Sequence, residues 1–288
     1  MVTGKATWYA STCRECPAGC GILAKNREGR VIKIEGNPLH PINNGKLCIR
    51  GQAALQRIYN PDRIKTPLLK DQQGWRPVSF SQALSLLTSK AAEAKQNGPN
   101  RVRMLTGIEG ESLLNLFSES LEQWRSSGPL VFEPFAYESL KIANEKVFGV
   151  KALMSYHMEK ADLMVSLGAD FIETWLSPVE YARKFKAMHA LDHGSKGFFS
   201  HVSPYLSLTG ANADLWLRCK PGSEVHVAMG LVHHLVESGQ GKNLPESLRS
   251  TIEEAMSATV RSLQADNTAT AHWDQEAVLD SGARQQEA

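Results

Sequence analysis

The chain has 288 residues, 42% hydrophobic and 22% charged, with a formal net charge of +2. That is enough apolar material for two domains, and so small a net charge excludes the basic stripe of a dedicated nucleic-acid binder. No run of eighteen apolar residues occurs, so no helix of this sequence is expected to span a bilayer. The first residues, Met1-Val-Thr-Gly-Lys-Ala-Thr-Trp-Tyr9, hold neither an apolar signal core nor a twin-arginine pair. The expectation is a chain that stays where it is made, has lost a leader, or travels with a partner.

Ala6-Thr-Trp-Tyr-Ala10 reads as a strand leading into the first of four cysteines, Cys13, Cys16, Cys20 and Cys48. Their spacing is C-x2-C-x3-C-x27-C, with Pro17, Gly19 and Gly21 among them. Three thiolates so close together reach three corners of one small inorganic core, and the distant fourth closes the cage. The glycines and the proline let the backbone fold tightly and aim amide donors at the sulfurs. This spacing points to a [4Fe–4S] cluster. Tetrahedral zinc is the rival, although zinc sites usually pair two short knuckles. A disulfide framework is the third reading and leaves Cys219 over. Residues 21–35 read as a hairpin turning over 26–29, with apolar and charged residues alternating afterwards. The prolines of 36–41 mark a loop that returns Cys48 to the other three. A short helix is expected over 53–59, and Asn60-Pro61 opens a connector reaching Pro67.

At this point a resemblance can be read. The cysteine spacing, Glu35-Gly-Asn-Pro-Leu-His-Pro41, Leu47-Cys-Ile-Arg-Gly51 and Tyr59-Asn-Pro-Asp-Arg-Ile-Lys-Thr-Pro-Leu68 resemble the iron–sulfur module of the molybdopterin oxidoreductase superfamily. The resemblance implies one [4Fe–4S] cluster on Cys13, Cys16, Cys20 and Cys48, with Arg50 beside it on the side of a pterin. Gly74-Trp-Arg-Pro-Val-Ser-Phe-Ser-Gln-Ala-Leu84 resembles the hairpin and first helix that follow in that family. Physical reasoning agrees on the helix: Ser79 caps it, Gln82 completes a capping box, and Leu84, Leu87 and Ala91 share one apolar face.

From Arg101 onward strands alternate with helices. Strands are expected over 101–107, 129–132, 161–168, 197–202 and 213–218, and helices over 111–124, 137–147 and 225–236. The apolar run 161–168 should be covered on both faces. The last helix should bury Val225, Met229, Val232 and Val236. The fold class is therefore α/β. A small β-rich 4Fe–4S module occupies 1–66, a Rossmann-like, mostly parallel three-layer α/β domain occupies 67–261, and 262–288 is a flexible polar tail.

Loops at the carboxyl ends of parallel strands are where such folds bind ligands. The resembled family holds its pterin nucleotide there and supplies a metal ligand. Here only Ser139 stands near the ligand position, and it reads as an ordinary residue of a helical first turn. No acid follows the strand at His201-Val-Ser-Pro204. Lys220-Pro-Gly-Ser-Glu224 resembles the family's Pro-Gly-Thr-Asp turn and implies a residual pterin contact for Gly222 and Glu224. By itself it is a tight turn into the last helix. Cys219 is expected to be a buried packing thiol, and Asp170, Glu173 and Glu180 a solvated acidic stretch.

Trp8-Tyr-Ala-Ser-Thr-Cys13, the stretch from Ser166 to Arg183, and Leu208-Thr-Gly-Ala-Asn-Ala-Asp-Leu-Trp216 narrow the resemblance to the iron–sulfur large subunit of alternative complex III and the related quinone reductase complex. This implies a membrane-associated respiratory oxidoreductase with cytochrome, ferredoxin-like and quinone-site membrane subunits as partners. It also implies that the molybdopterin-type domain is a scaffold without molybdopterin. The periplasmic face of the inner membrane is the implied location, with the cytoplasm as the alternative. Two other functions stay open: the N-terminal part of a catalytic bis-molybdopterin enzyme, and a non-redox interaction module stabilised by zinc.

Overall fold

The computed structural model describes residues 3–135, 137–191, 194, 196–239, 250, 252–254 and 257. The expected tail, 262–288, lies outside the described residues. The chain forms two compact units, Met1–His157 with Leu176–Arg183, and Met158–Trp175 with Lys184–Ala288.

The first unit opens with an antiparallel sheet, β1 (Thr7–Thr12), β2 (Gly21–Arg27) and β3 (Arg30–Gly36), in the order β1-β2-β3. Its hairpin turns at Glu28 and Gly29, both at positive φ (52° and 82°), the two-residue turn whose twist matches the flanking strands. Helix α1 (Ile49–Ile58) packs along β3. Leu47, Ala54 and Leu55 thereby close over Ile22 and Ile34. A second hairpin, β4 (Leu68–Asp71) and β5 (Gly74–Pro77), leads into α2 (Phe80–Gln96). Both arms of the Ser79–Gln82 capping box form, as the sequence predicts. The expected apolar face does not become buried: Leu84 and Leu87 are 52% and 67% exposed. Capping and propensity set this helix without a packing partner among the described residues.

The strands expected over 101–107 and 129–132 shrink to β6 (Leu105–Thr106) and β7 (Leu130–Val131), a parallel pair. Only Met104 and Thr106 offer carbonyls to the neighbouring chain, at Leu130 and Phe132. Helix α3 (Glu111–Gln123) turns Leu113, Leu114, Phe117 and Leu121 to its covered side as expected, and α4 (Glu138–Phe148) ends at Gly149 in the left-handed conformation, φ 73°.

The second unit is built on a parallel sheet, β8 (Leu163–Leu167), β9 (Phe198–Ser203) and β10 (Leu215–Arg218), ordered β10-β9-β8. In sequence α5 (Pro178–His189) lies between β8 and β9, α6 (Leu208–Ala211) follows β9, and α7 (Glu224–Glu237) follows β10. Helix α5 was not expected, yet Ser177-Pro178-Val-Glu180 carries its signal: a capping-type residue, proline at the first helical position and an acid in the first turn. Phe171, Phe185 and Phe199 meet at steep interplanar angles with ring centroids 5.0–5.6 Å apart and form the core beneath β9. Coverage on both faces holds for central β9 and not for β8, whose Leu163, Val165 and Leu167 are exposed. These three alternate residues share one face of the sheet, which stays open, while Ser166 on the other face is buried. On α7 the buried residue is Val227, and Val225 is exposed, because two helical positions lie about 200° apart.

His201, on β9, is 1% exposed, and its Nδ1 has no hydrogen-bond partner. Burial holds its pKa below the usual imidazole range, against a smaller opposing pull from Asp170. The folded state therefore keeps this ring neutral at pH values where the unfolded chain, with a pKa of about 6.5, takes up a proton. Stability is expected to fall as pH drops below about 6.5, by up to roughly 1.4 kcal/mol per pH unit. Denaturant titrations at a series of pH values check this. A His201→Gln chain should lose that slope, and an unchanged slope would refute the assignment.

Candidate metal centre

Cys13 extends the β1–β2 ladder by one pair, its N–H donating to the Cys20 carbonyl at 2.8 Å. Strand alternation then puts both sulfurs on the face shared by Ile22 and Ile34. Cys13 and Cys20 are buried, at 8% and 4% exposure. Between them the chain turns through Cys16 and through Gly19, whose φ of 62° is the left-handed conformation glycine adopts freely. Cys48 is the N-cap of α1, so the positive end of a helix begins at the fourth thiol.

Electrostatics tie the four together. Burial pushes the Cys20 thiol up to about 11, and Cys16, Cys13 and Cys48 push it further in the same direction. Burial likewise raises Cys13, the Glu15 N–H opposes by donating to its sulfur, and Cys16 and Cys48 add to the rise. All five cysteines are free, so no disulfide framework is present. No group of three or more His, Cys, Asp or Glu among the described residues closes around a single ion position. Four thiolates in this enclosure repel one another and require a cationic core. The donor set fits an iron–sulfur cluster, with a backbone amide already aimed at one sulfur.

The surrounding charges are largely answered. Arg14 pairs with Glu109, and Glu15 pairs with Arg57 at 2.9 Å. Arg50 sits in the first turn of α1, two residues past Cys48, on an exposed stretch. Its charge is felt at Tyr137, whose hydroxyl burial raises and which Cys16 also influences. Tyr137 is 7% exposed and accepts the Leu176 N–H at 3.1 Å.

Sequence reasoning missed the residue that joins the halves of this site. Asn43 is fully buried. Its Oδ1 accepts the Gly21 N–H at 2.9 Å, and its Nδ2 donates to the carbonyls of Gly21 (2.9 Å) and Lys46 (2.6 Å). One amide thus clips the strand after Cys20 to the loop before Cys48. Gly21 has no room for more: a Cβ there would lie 2.3 Å from the His40 ring. The signal was Asn43-Asn-Gly45 between Pro41 and Cys48, a turn-forming set whose side chain replaces backbone partners.

In the second unit Gly222 (φ 81°) makes the turn into α7, and the Glu224 carboxylate lies 3.5 Å from where a Cβ would stand on Gly168, at the carboxyl end of β8. Glu224 and Gly168 therefore meet at the carboxyl end of β8, the end where such sheets bind ligands. Of the acidic stretch, Glu173 is exposed as expected and Glu180 half-buried, while Asp170 is withdrawn from solvent. Asp170 is 8% exposed and accepts from the Thr209 hydroxyl, and Glu173 accepts the Leu208 N–H at 2.8 Å. Glu180 is on α5 and accepts from Ser155 at 2.7 Å. Cys219 is half-buried rather than enclosed, since β10 lies at the sheet's edge. Ser139 is exposed in the first turn of α4.

Residues 6–60 match the molybdopterin oxidoreductase Fe4S4 domain, and the chain as a whole is similar to subunits of molybdopterin oxidoreductases. Among them is the molybdopterin-binding-like subunit of menaquinone reductase from Nitratidesulfovibrio vulgaris (strain Hildenborough), 27% identical over 85% of this chain and 35% of the relative. Another is the molybdopterin-containing ArrA subunit of arsenate respiratory reductase from Shewanella sp. (strain ANA-3), 25% identical over 89% of this chain and 32% of the relative. A sulfite dehydrogenase subunit from Allochromatium vinosum is also 25% identical, over 83% of the chain and 24% of the relative. The chain thus spans about a third or less of the curated relatives it matches. In fold it is similar to acetylene hydratase from Pelobacter acetylenicus, with a TM-score of 0.64 at 15% identity over 86% of this chain and 35% of that one. No helix among the described residues is long and apolar enough to cross a membrane.

Proposed function

We propose that this chain is an electron-transfer subunit of a quinone-linked respiratory complex. Cys13, Cys16, Cys20 and Cys48 hold one [4Fe–4S] cluster, and the α/β part serves as a scaffold that carries no molybdopterin. The observation that carries this reading is the paired enclosure of Cys13 and Cys20 with the helix-capping Cys48, in a segment matching an Fe4S4 domain. A bound cluster supplies reversible one-electron transfer. The chain's own part is to bury two ligands, to donate the Glu15 N–H to Cys13, and to place the N-terminus of α1 at Cys48. The quinone reductase homologue supports a respiratory role. The proposed partners are cytochrome, ferredoxin-like and quinone-site membrane subunits, and the proposed location is the periplasmic face of the inner membrane.

The scaffold reading draws on two features: Ser139 is exposed in a helical turn, and the end of β9 offers buried His201 and Ser203 where a nucleotide-holding acid would stand. A catalytic reading draws on Glu224, two residues past the Gly222 turn, lying beside Gly168. Metal analysis of anaerobically purified protein separates them. About four iron and four sulfide per chain, without molybdenum, is the expected result. Stoichiometric molybdenum would end the scaffold reading, and a colourless protein with zinc would end the cluster reading.

A further inference from the structure

The outer edge of the N-terminal sheet has no strand beside it among the described residues: β1 pairs with β2 alone, and all six of its residues are exposed. Its register tells which main-chain groups are free. The Cys13 N–H bonds to Cys20, so by antiparallel alternation Ser11, Tyr9 and Thr7 bond to β2. Trp8, Ala10 and Thr12 therefore turn N–H and C=O outward. Open edges are normally blunted by proline, a bulge or an inward charge. Thr7-Trp-Tyr-Ala-Ser-Thr12 has no proline and no charge, and the sheet's irregularity lies in the β2–β3 pairing.

Two lysines, Lys5 and Lys25, flank this edge. Lys25 stands directly opposite Lys33 across β2 and β3, a like-charge pair that is unfavourable by itself. Glu35 answers Lys33 at 2.7 Å. Lys25 instead lies over the Trp8 ring, 5.5 Å from its centroid, and so reaches toward β1. Lys5 precedes the strand, and the hairpin carboxylate Glu28 is already engaged by the Gly4 N–H at 3.0 Å. A second copy of this chain would bring Lys5 and Lys25 against their own counterparts. An acidic strand would meet them favourably.

We propose that the open edge of β1 takes up an extended acidic segment of a partner protein as a fourth strand. Main-chain bonds to Trp8, Ala10 and Thr12 supply affinity, and Lys25 selects the charge. Because β1 runs directly into Cys13, the added strand ends beside a cluster ligand, where an electron-transfer partner is needed. That last point rests on the cluster reading; strand addition does not.

The test uses the full chain, titrated with a short alternating Glu/Val peptide and with its Lys/Val counterpart, while amide exchange and iron content are read on the same samples. The acidic peptide is expected to slow exchange at Trp8, Ala10 and Thr12, and the basic one is not. Ala10→Pro removes an outward donor and leaves the β1–β2 ladder intact, as proline permits on an edge strand. It should weaken binding about tenfold or more, the loss of one main-chain bond, with Tyr9 and Ser11 still protected. Lys25→Glu should abolish the preference for the acidic peptide. Equal response to both peptides, unchanged binding by Ala10→Pro, or dimerisation of the chain through β1 in sedimentation would each overturn the proposal. Missing iron with intact peptide binding would count against the cluster alone.

Discussion

Replacing Cys48 with serine is expected to leave the protein nearly without iron and without its visible absorption. The effect is large because Cys48 is the only ligand outside the Cys13–Cys20 turn. Losing it opens a cage in which burial already holds the Cys13 and Cys20 thiols above their usual range, Cys20 at about 11. Binding energy at such a site is also folding energy, since the donors repel one another until a cationic core holds them. Residues 5–60 should therefore exchange their amides much faster, while the parallel sheet of β8, β9 and β10, whose aromatic core contains no cysteine, keeps its protection. Iron counting and hydrogen exchange on the same preparation read both halves. A Cys48→Ser protein that kept its full iron would overturn the ligand assignment.

Asn43→Ala should cost roughly 2–6 kcal/mol in the same module, about one to three for each of two groups left without a partner. Two groups are stranded. The Gly21 N–H loses its acceptor, and the Lys46 carbonyl loses the Nδ2 donor. The Gly21 carbonyl keeps the Asn37 N–H at 2.9 Å, which limits the damage. Asn43→Asp should be no better, because it presents an acceptor to the carbonyls of Gly21 and Lys46 where a donor stood. Thermal unfolding followed at the cluster absorption checks both variants. A loss below about 0.5 kcal/mol, the size of an ordinary surface substitution, would show that the clip is incidental.

Features governed by local chemistry were legible in the sequence. The Glu28-Gly29 turn and the Ser79–Gln82 box each depend on neighbours within a few residues, and both appear as expected. What failed depends on distant partners. The length of β6 follows from where β7 offers hydrogen bonds, not from the run 101–107. The exposure of Leu163, Val165 and Leu167 follows from one face of β8 staying open, which its apolar composition does not reveal. Asp170 looked solvated because its partner, Thr209, comes more than thirty residues later. Asn43 was hidden for the same reason: its role is visible only once Gly21 lies against it.

The path of the chain bears on how the protein can be divided. After His157 it leaves the first unit, returns for Leu176–Arg183, and leaves again. Within that return Val179 packs against the apolar shell of Cys13, Cys20, Ile22 and Ile34. A fragment cut anywhere between Cys48 and residue 176 keeps all four cysteines and loses part of their wall. Such a fragment should assemble a cluster that oxygen and water reach more readily. Cluster lifetime in air, rather than ligand count, is then the property that distinguishes the whole chain from its excised N-terminal module.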